Sequence, residues 1–295
     1  MSIKEQASAE PPALLFKYAG DWVEGFFKDP NPYLRFSSPN NFNDPYDFFP
    51  TIKLKLNRKK REEHCRHFKL PINLSARELA IQIAEISRLE IGRKYAVNCM
   101  SELPDNIRMW GHYAQKHEGC VLAFDSDLIR GFRYEKSPYF AGKVCYVSQK
   151  CVIPYPMENI SEENYNIVFP KAKEWEYENE WRIAIRRKSM SEDKYLDLNF
   201  RADCLRWVII GCRATEVKKA KNYVDALKAN EKFKHVSVFY AEKDFYDYRM
   251  IIRSESGEKI NWQEKMREYS EEKMRSPKDP WYKNAAEKRR LKYGV

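Results

Sequence analysis

No run of roughly 18 apolar residues occurs anywhere in the chain, so the sequence offers no helical membrane span. The opening Met1-Ser2-Ile3-Lys4-Glu5-Gln6 lacks the apolar centre of a signal peptide, and the expected location is cytoplasmic, with no membrane partner. Neither a Rossmann glycine fingerprint nor a P-loop is present, which argues against ordinary dehydrogenases and nucleoside triphosphatases. Internal repeats and low-complexity segments are also missing. The metal-like cluster His64-Cys65-Arg66-His67 has no second pair of ligands at zinc-site spacing, so no metal is expected. The seven cysteines are odd in number and sit mostly in apolar runs such as Cys120-Val121-Leu122-Ala123-Phe124, which reads as reduced core residues rather than a disulfide framework.

What is present is enough for a sizeable core, since 43% of the 295 residues are hydrophobic and 14% aromatic. Lys and Arg number 53 against 43 Asp and Glu, and the net charge of +10 points to a polyanionic partner: nucleic acid or a phosphate-bearing small molecule. Strand patterns at 14–18, 33–36, 95–100, 120–125, 143–147, 180–185, 207–211, 236–240 and 248–252 mix with helical patterns without strict alternation. This favours an α+β fold, a mixed and mainly antiparallel sheet with flanking helices. Residues 1–260 read as one catalytic-type domain and 261–295 as a basic helical C-terminal appendage ending in Lys288-Arg289-Arg290-Leu291-Lys292.

Lys173-Glu174-Trp175-Glu176-Tyr177-Glu178-Asn179-Glu180-Trp181-Arg182 concentrates acid and aromatic residues at the start of the strand Trp181-Ile183-Ile185. The alternation predicts a half-buried strand with Glu178 and Glu180 at its mouth, on one face. Solvent-facing acids paired with Lys173 and Arg182, beside core aromatics, form the alternative reading. Upstream, Asn43-Asp44-Pro45-Tyr46-Asp47 is either a tight Asx turn or a ligand loop between aromatic anchors. A helix is predicted from Pro104, ending near Gly119, with Trp110, His112 and Tyr113 together: core residues, or the wall of a site for a flat aromatic ligand. Asn57-Arg58-Lys59-Lys60-Arg61 is the densest positive run of the first half.

Taken together, Lys17-Tyr18, Phe42-Asn43-Asp44-Pro45-Tyr46-Asp47, Met109-Trp110-Gly111-His112-Tyr113 with His117 and Gly119, and Trp175 to Arg182 resemble the bacterial family called domain of unknown function 2971, over roughly residues 14–240. More weakly, a glutamate entering a strand after aromatics, downstream of a first strand with a basic or aromatic side chain, is similar to the catalytic arrangement of ADP-ribosyltransferases that modify DNA or RNA. That likeness implies NAD as substrate, with Glu180 holding the ribose and stabilising positive charge and Glu178 orienting or deprotonating the acceptor, roles that are exchangeable. It implies rings stacked on Tyr18, Trp110 and Tyr113, the pyrophosphate against Lys17, Arg35 or His112, and Asn43 and Asp44 near the cofactor. A nucleic-acid target, a role as toxin or anti-phage effector, and a neutralising antitoxin protein belong to the same expectation. A Ser-Thr-Ser-type second strand is missing; Asn98-Cys99-Met100-Ser101 is a loose substitute. Two other classes stay open: a magnesium nuclease built on Asp44, Asp47, Glu178 and Glu180, and a non-catalytic nucleic-acid or protein-binding module.

Overall fold

The computed structural model describes residues 2–131, 139–156 and 165–275. Its centre is an 11-stranded sheet, mixed but mainly antiparallel, in an α+β fold. The main path runs β11 (Tyr195–Asn199), β2 (Tyr33–Ser37), β4 (Tyr95–Ser101), β1 (Leu14–Ala19), β5 (Cys120–Asp125), β12 (Leu205–Ile210), β13 (Ser237–Lys243), β14 (Met250–Ser254) and β15 (Lys259–Ile260). β10 (Glu180–Arg186) leaves this path, pairing β4 on one side and β6 (Tyr139–Lys143) on the other. Within the large sheet β12 and β13 run parallel. Two parallel pairs lie outside it, β3 (Thr51–Leu54) with β8 (Val152–Tyr155), and β7 (Cys145–Val147) with β9 (Pro170–Ala172).

The central strands are apolar on both faces, as expected where helices cover each side. β5 is buried at every position, and Leu122 and Phe124 face one core cluster while Val121 and Ala123 face another. α2 (Val23–Lys28) and α9 (Lys219–Ala229) cover the first face; α4 (Ala76–Lys94), opened by a Ser75–Glu78 capping box, covers β3 and part of β4. α5 (Ile107–Tyr113) lies on the face of β1 with α10 (Trp262–Arg275). Of the segment 261–295 set apart as an appendage, α10 packs onto the sheet: Trp262, Met266 and Tyr269 join the core and the Tyr269 hydroxyl donates to Asp125 Oδ2 at 2.5 Å. The basic run 288–292 lies outside the described residues.

Several local expectations need correction. The strand expected at 143–147 is two strands, split at Val144. The helix expected from Pro104 runs Ile107–Tyr113 and ends earlier than Gly119, in Gln115, Lys116 and His117 with φ of 50°, 52° and 70°. β10 is buried at six successive positions rather than half-buried, because β4 and β6 flank it and apolar residues cover both faces. Among the described residues no helix is long and apolar enough to cross a membrane. All seven cysteines are free, and Cys65, Cys120, Cys145 and Cys204 are buried.

Candidate functional site

The site forms where the sheet parts. β1 and β4 share a single registered pair, Phe16 with Ser101, and the ladder stops before Lys17, Tyr18, Met100 and Cys99 are joined. Those four line a cavity of about 410 Å³, into which Glu178 and Glu180 also face. Lys17 Nζ reaches across the parted strands and donates to the Cys99 carbonyl at 2.8 Å, satisfying one group that the missing ladder left open.

The two glutamates are brought together by a turn rather than by strand alternation. A 3₁₀ stretch over Lys173–Glu178 ends at Asn179, whose φ of 43° and ψ of 52° are left-handed, and β10 begins at the next residue. Asparagine tolerates that conformation better than other residues with a Cβ. The turn is fixed from outside: Ser101 Oγ donates to the Glu178 carbonyl at 2.6 Å, the Glu102 amide to the Asn179 carbonyl at 3.1 Å, and the Glu180 amide to the Tyr146 hydroxyl oxygen at 2.8 Å. Asn179→Val is expected to cost about 1–3 kcal/mol in chemical denaturation, and Asn179→Gly much less. Equal stability of the two variants would show that the left-handed turn is not strained.

Both glutamates are buried, each 3% exposed, and share one ammonium. Lys171, on β9, ion-pairs with Glu178 and donates to Glu180 Oε2 at 2.9 Å, with the Trp175 ring 5.1 Å from its nitrogen. The fully buried Arg182 donates through Nε to Glu180 Oε1 at 2.8 Å, through Nη2 to Asp47 Oδ2 at 2.7 Å, and through Nη1 to the Val168 carbonyl at 2.7 Å. The second oxygen of Glu178 accepts from the Tyr113 hydroxyl at 2.7 Å.

Three buried acids thus face two cations, and the electrostatics divide them. Burial raises the proton affinity of Glu178, and the Glu180 charge raises it further, against the pull of Lys171. Burial also raises Asp47, more than Arg182 lowers it. Burial would raise Glu180 too, but Arg182 and Lys171 together outweigh it and hold this carboxyl below its ordinary value of 4.5. Burial pushes the Lys17 ammonium down, and the Cys99 thiol well up, so Cys99 is no thiolate nucleophile. One wall therefore carries a carboxylate favoured in its ionised form, Glu180, beside one that holds its proton more readily, Glu178.

The residues singled out from sequence do not all converge. Lys17, Tyr18, Asn43, His112, Tyr113, Glu178 and Glu180 line the cavity. Trp110 does not: it is 0% exposed, donates to the Pro104 carbonyl at 2.8 Å, and packs edge-on to Tyr18. Arg35 is a surface residue bound to Asp197 across β2 and β11, and cannot hold a pyrophosphate in the cleft. Asp44 is spent on an Asx turn, accepting from the Tyr46 amide at 2.8 Å. Arg182, read as a surface partner of the acids, is in the core, and Lys173, its supposed companion, is exposed. Lys171 was missed altogether; the apolar run Ile167-Val168-Phe169-Pro170 that carries it inside was the available signal. Asp47, read as part of a turn or ligand loop and as a nuclease metal ligand, has Oδ2 taken by Arg182. Among the described residues no group of three or more His, Cys, Asp or Glu is arranged to hold a metal ion.

The geometry defines a mixed α+β protein with a carboxylate-walled cleft in a parted sheet. A family model described as a protein of unknown function, DUF2971, matches residues 109–183, which include Tyr113, Lys171, Glu178, Glu180 and Arg182 and supports the resemblance to that family. No curated protein and no solved structure is matched.

Proposed function

We propose that the cleft binds NAD and transfers its ADP-ribosyl group to nucleic acid, in the manner of ADP-ribosyltransferase toxins and anti-phage effectors. The observation that carries this reading is the pair of buried carboxylates, held together by Lys171, on the wall of an aromatic-lined cavity. Its volume, about 410 Å³, lies within the range of small-molecule sites, roughly 300–1,000 Å³. Phe16, Tyr18, Phe42 and Tyr113 supply ring faces and edges for nicotinamide. Of the side chains expected at the pyrophosphate, Lys17 and His112 remain on the cavity wall.

In this mechanism the bond between ribose C1′ and the nicotinamide nitrogen breaks, and its electron pair stays on the nicotinamide ring. The ionised Glu180 stabilises the resulting positive charge on the ribose. A nucleophilic atom of the nucleic acid forms the new bond to C1′, and its proton passes to Glu178, the carboxylate able to take it up. Tyr113 and Lys171 hold Glu178 in place for that transfer.

Nicotinamide release from NAD in the presence of RNA or single-stranded DNA tests this directly. The rate should climb with pH through the raised Glu178 pKa, since the base must first lose its proton, and Glu178→Gln should flatten that climb and lower the plateau about a hundredfold. Absence of NAD turnover and of NAD binding by calorimetry, with either nucleic acid present, would remove the proposal.

A further inference from the structure

The hairpin joining β13 and β14 displays three aromatic rings in four residues with almost no cover. Phe245 is 91%, Tyr246 90% and Tyr248 103% exposed, although the protein has a full core in which to bury such side chains. These rings are not loose ends of a floppy turn. Asp244, its side chain 5% exposed, accepts from the amides of Tyr246 and Asp247 at 2.9 and 3.3 Å and from Arg249 Nε at 2.6 Å. The Asp244 amide donates to the Arg249 carbonyl at 3.1 Å, closing the loop behind the rings. The turn is pinned by a polar lock beneath, so the rings stand outward without contributing to its shape.

The surroundings say what such rings meet. Lys243 at the hairpin base binds Glu216 at 2.9 Å, and Arg213 on the short helix Cys212–Glu216 donates to the Lys116 carbonyl at 3.2 Å, so hairpin, helix and the turn after α5 form one face. On it Lys116 and Lys218 are exposed and in no ion pair among the described residues. Phe245 and Tyr246 meet edge-on at 5.0 Å, yet each ring remains about nine-tenths exposed. Exposed rings beside lysines in no ion pair, on a chain of net charge +10, suit single-stranded nucleic acid, whose bases stack while its phosphates follow the charge.

We infer that the hairpin of Phe245, Tyr246 and Tyr248, with Lys116 and Lys218 beside it, is a stacking platform for single-stranded RNA or DNA. None of these residues lines the cleft, and the inference does not rest on the NAD chemistry, since strand binding is read without NAD.

Fluorescence anisotropy with labelled oligo-U and oligo-dT of about 12 nucleotides tests it. The variant F245A/Y246A/Y248A should bind at least roughly thirtyfold more weakly at every ionic strength, with the salt slope of the wild type retained, because stacking releases no counterions. Lys116→Ala with Lys218→Ala should instead reduce the slope by about two counterions' worth. Both variants should melt at the wild-type temperature, because none of these side chains is buried. Wild-type affinity in the aromatic variant overturns the proposal, as does failure of the wild-type protein to bind either oligonucleotide at low salt. A wild-type protein that self-associates in sedimentation through these rings, and binds no oligonucleotide, would make the hairpin a protein contact instead.

Discussion

Arg182→Met is expected to lower the unfolding free energy by about 3–5 kcal/mol, the usual cost of removing one partner from a buried ion network. For a chain of this size that is a fall of roughly 10 °C in the melting midpoint. The side chain is 0% exposed and its donors go to Glu180, Asp47 and the Val168 carbonyl; methionine fills part of the volume but leaves buried Asp47 without its ion-pair partner and Glu180 with Lys171 alone. The loss should be partly reversed by adding Glu180→Gln and Asp47→Asn, which remove the stranded charges and keep the shape. Calorimetry on the single and combined variants decides the matter. A drop under about 1 kcal/mol in the single variant, or no recovery in the combined one, would mean that the network contributes little and that Arg182 acts through packing against Phe48.

Glu180→Gln is expected to reduce nicotinamide release by about 10²–10³-fold, since it removes the charge that stabilises the ribose cation. It should also destabilise the fold. Glu180 is 3% exposed and compensates both Arg182 and Lys171, so the amide leaves those cations short of a carboxylate. The pH dependence separates the two effects. With its folded-state pKa held below 4.5, Glu180 contributes stability that is present above that value and lost as pH falls towards the folded-state pKa. The stability gap between wild type and variant should therefore be widest near neutral pH and shrink in acid. Glu180→Asp, which keeps the charge but shortens the reach, should recover more stability than activity. A Glu180→Gln protein with full turnover would leave Glu180 as a structural acid only.

Several features of the site were legible before any fold was known, and for local reasons. The alternation Trp181, Ile183, Ile185 marks a strand because successive side chains point to opposite faces, and β10 runs through these residues. Met109 and Tyr113 stand four apart on a helix and so share a face, and both reach the cavity. The acid-rich entry to β10 flagged Glu178 and Glu180, because carboxylates crowded against aromatics at a strand end are uncommon on an ordinary surface. By the same local logic Trp110 was included, wrongly: its neighbours on the helix share its spacing, but its indole turns into the core.

The sequence by itself determined most strands of the large sheet, the α+β mixture, the positive balance of the chain and the presence of a carboxylate pair, because each depends on composition or on spacings within a few residues. Only the tertiary structure decided that β1 and β4 part to open a cleft, that Lys171 stands between the glutamates, and that Arg182 and Asp47, 135 residues apart, meet in the interior. The physical reason is that a charge costs several kcal/mol to bury alone and far less beside its counter-ion. Whether a given Glu, Arg or Lys can lie inside is therefore set by which distant strand carries its partner, and sheet pairing is a long-range property that no local spacing encodes.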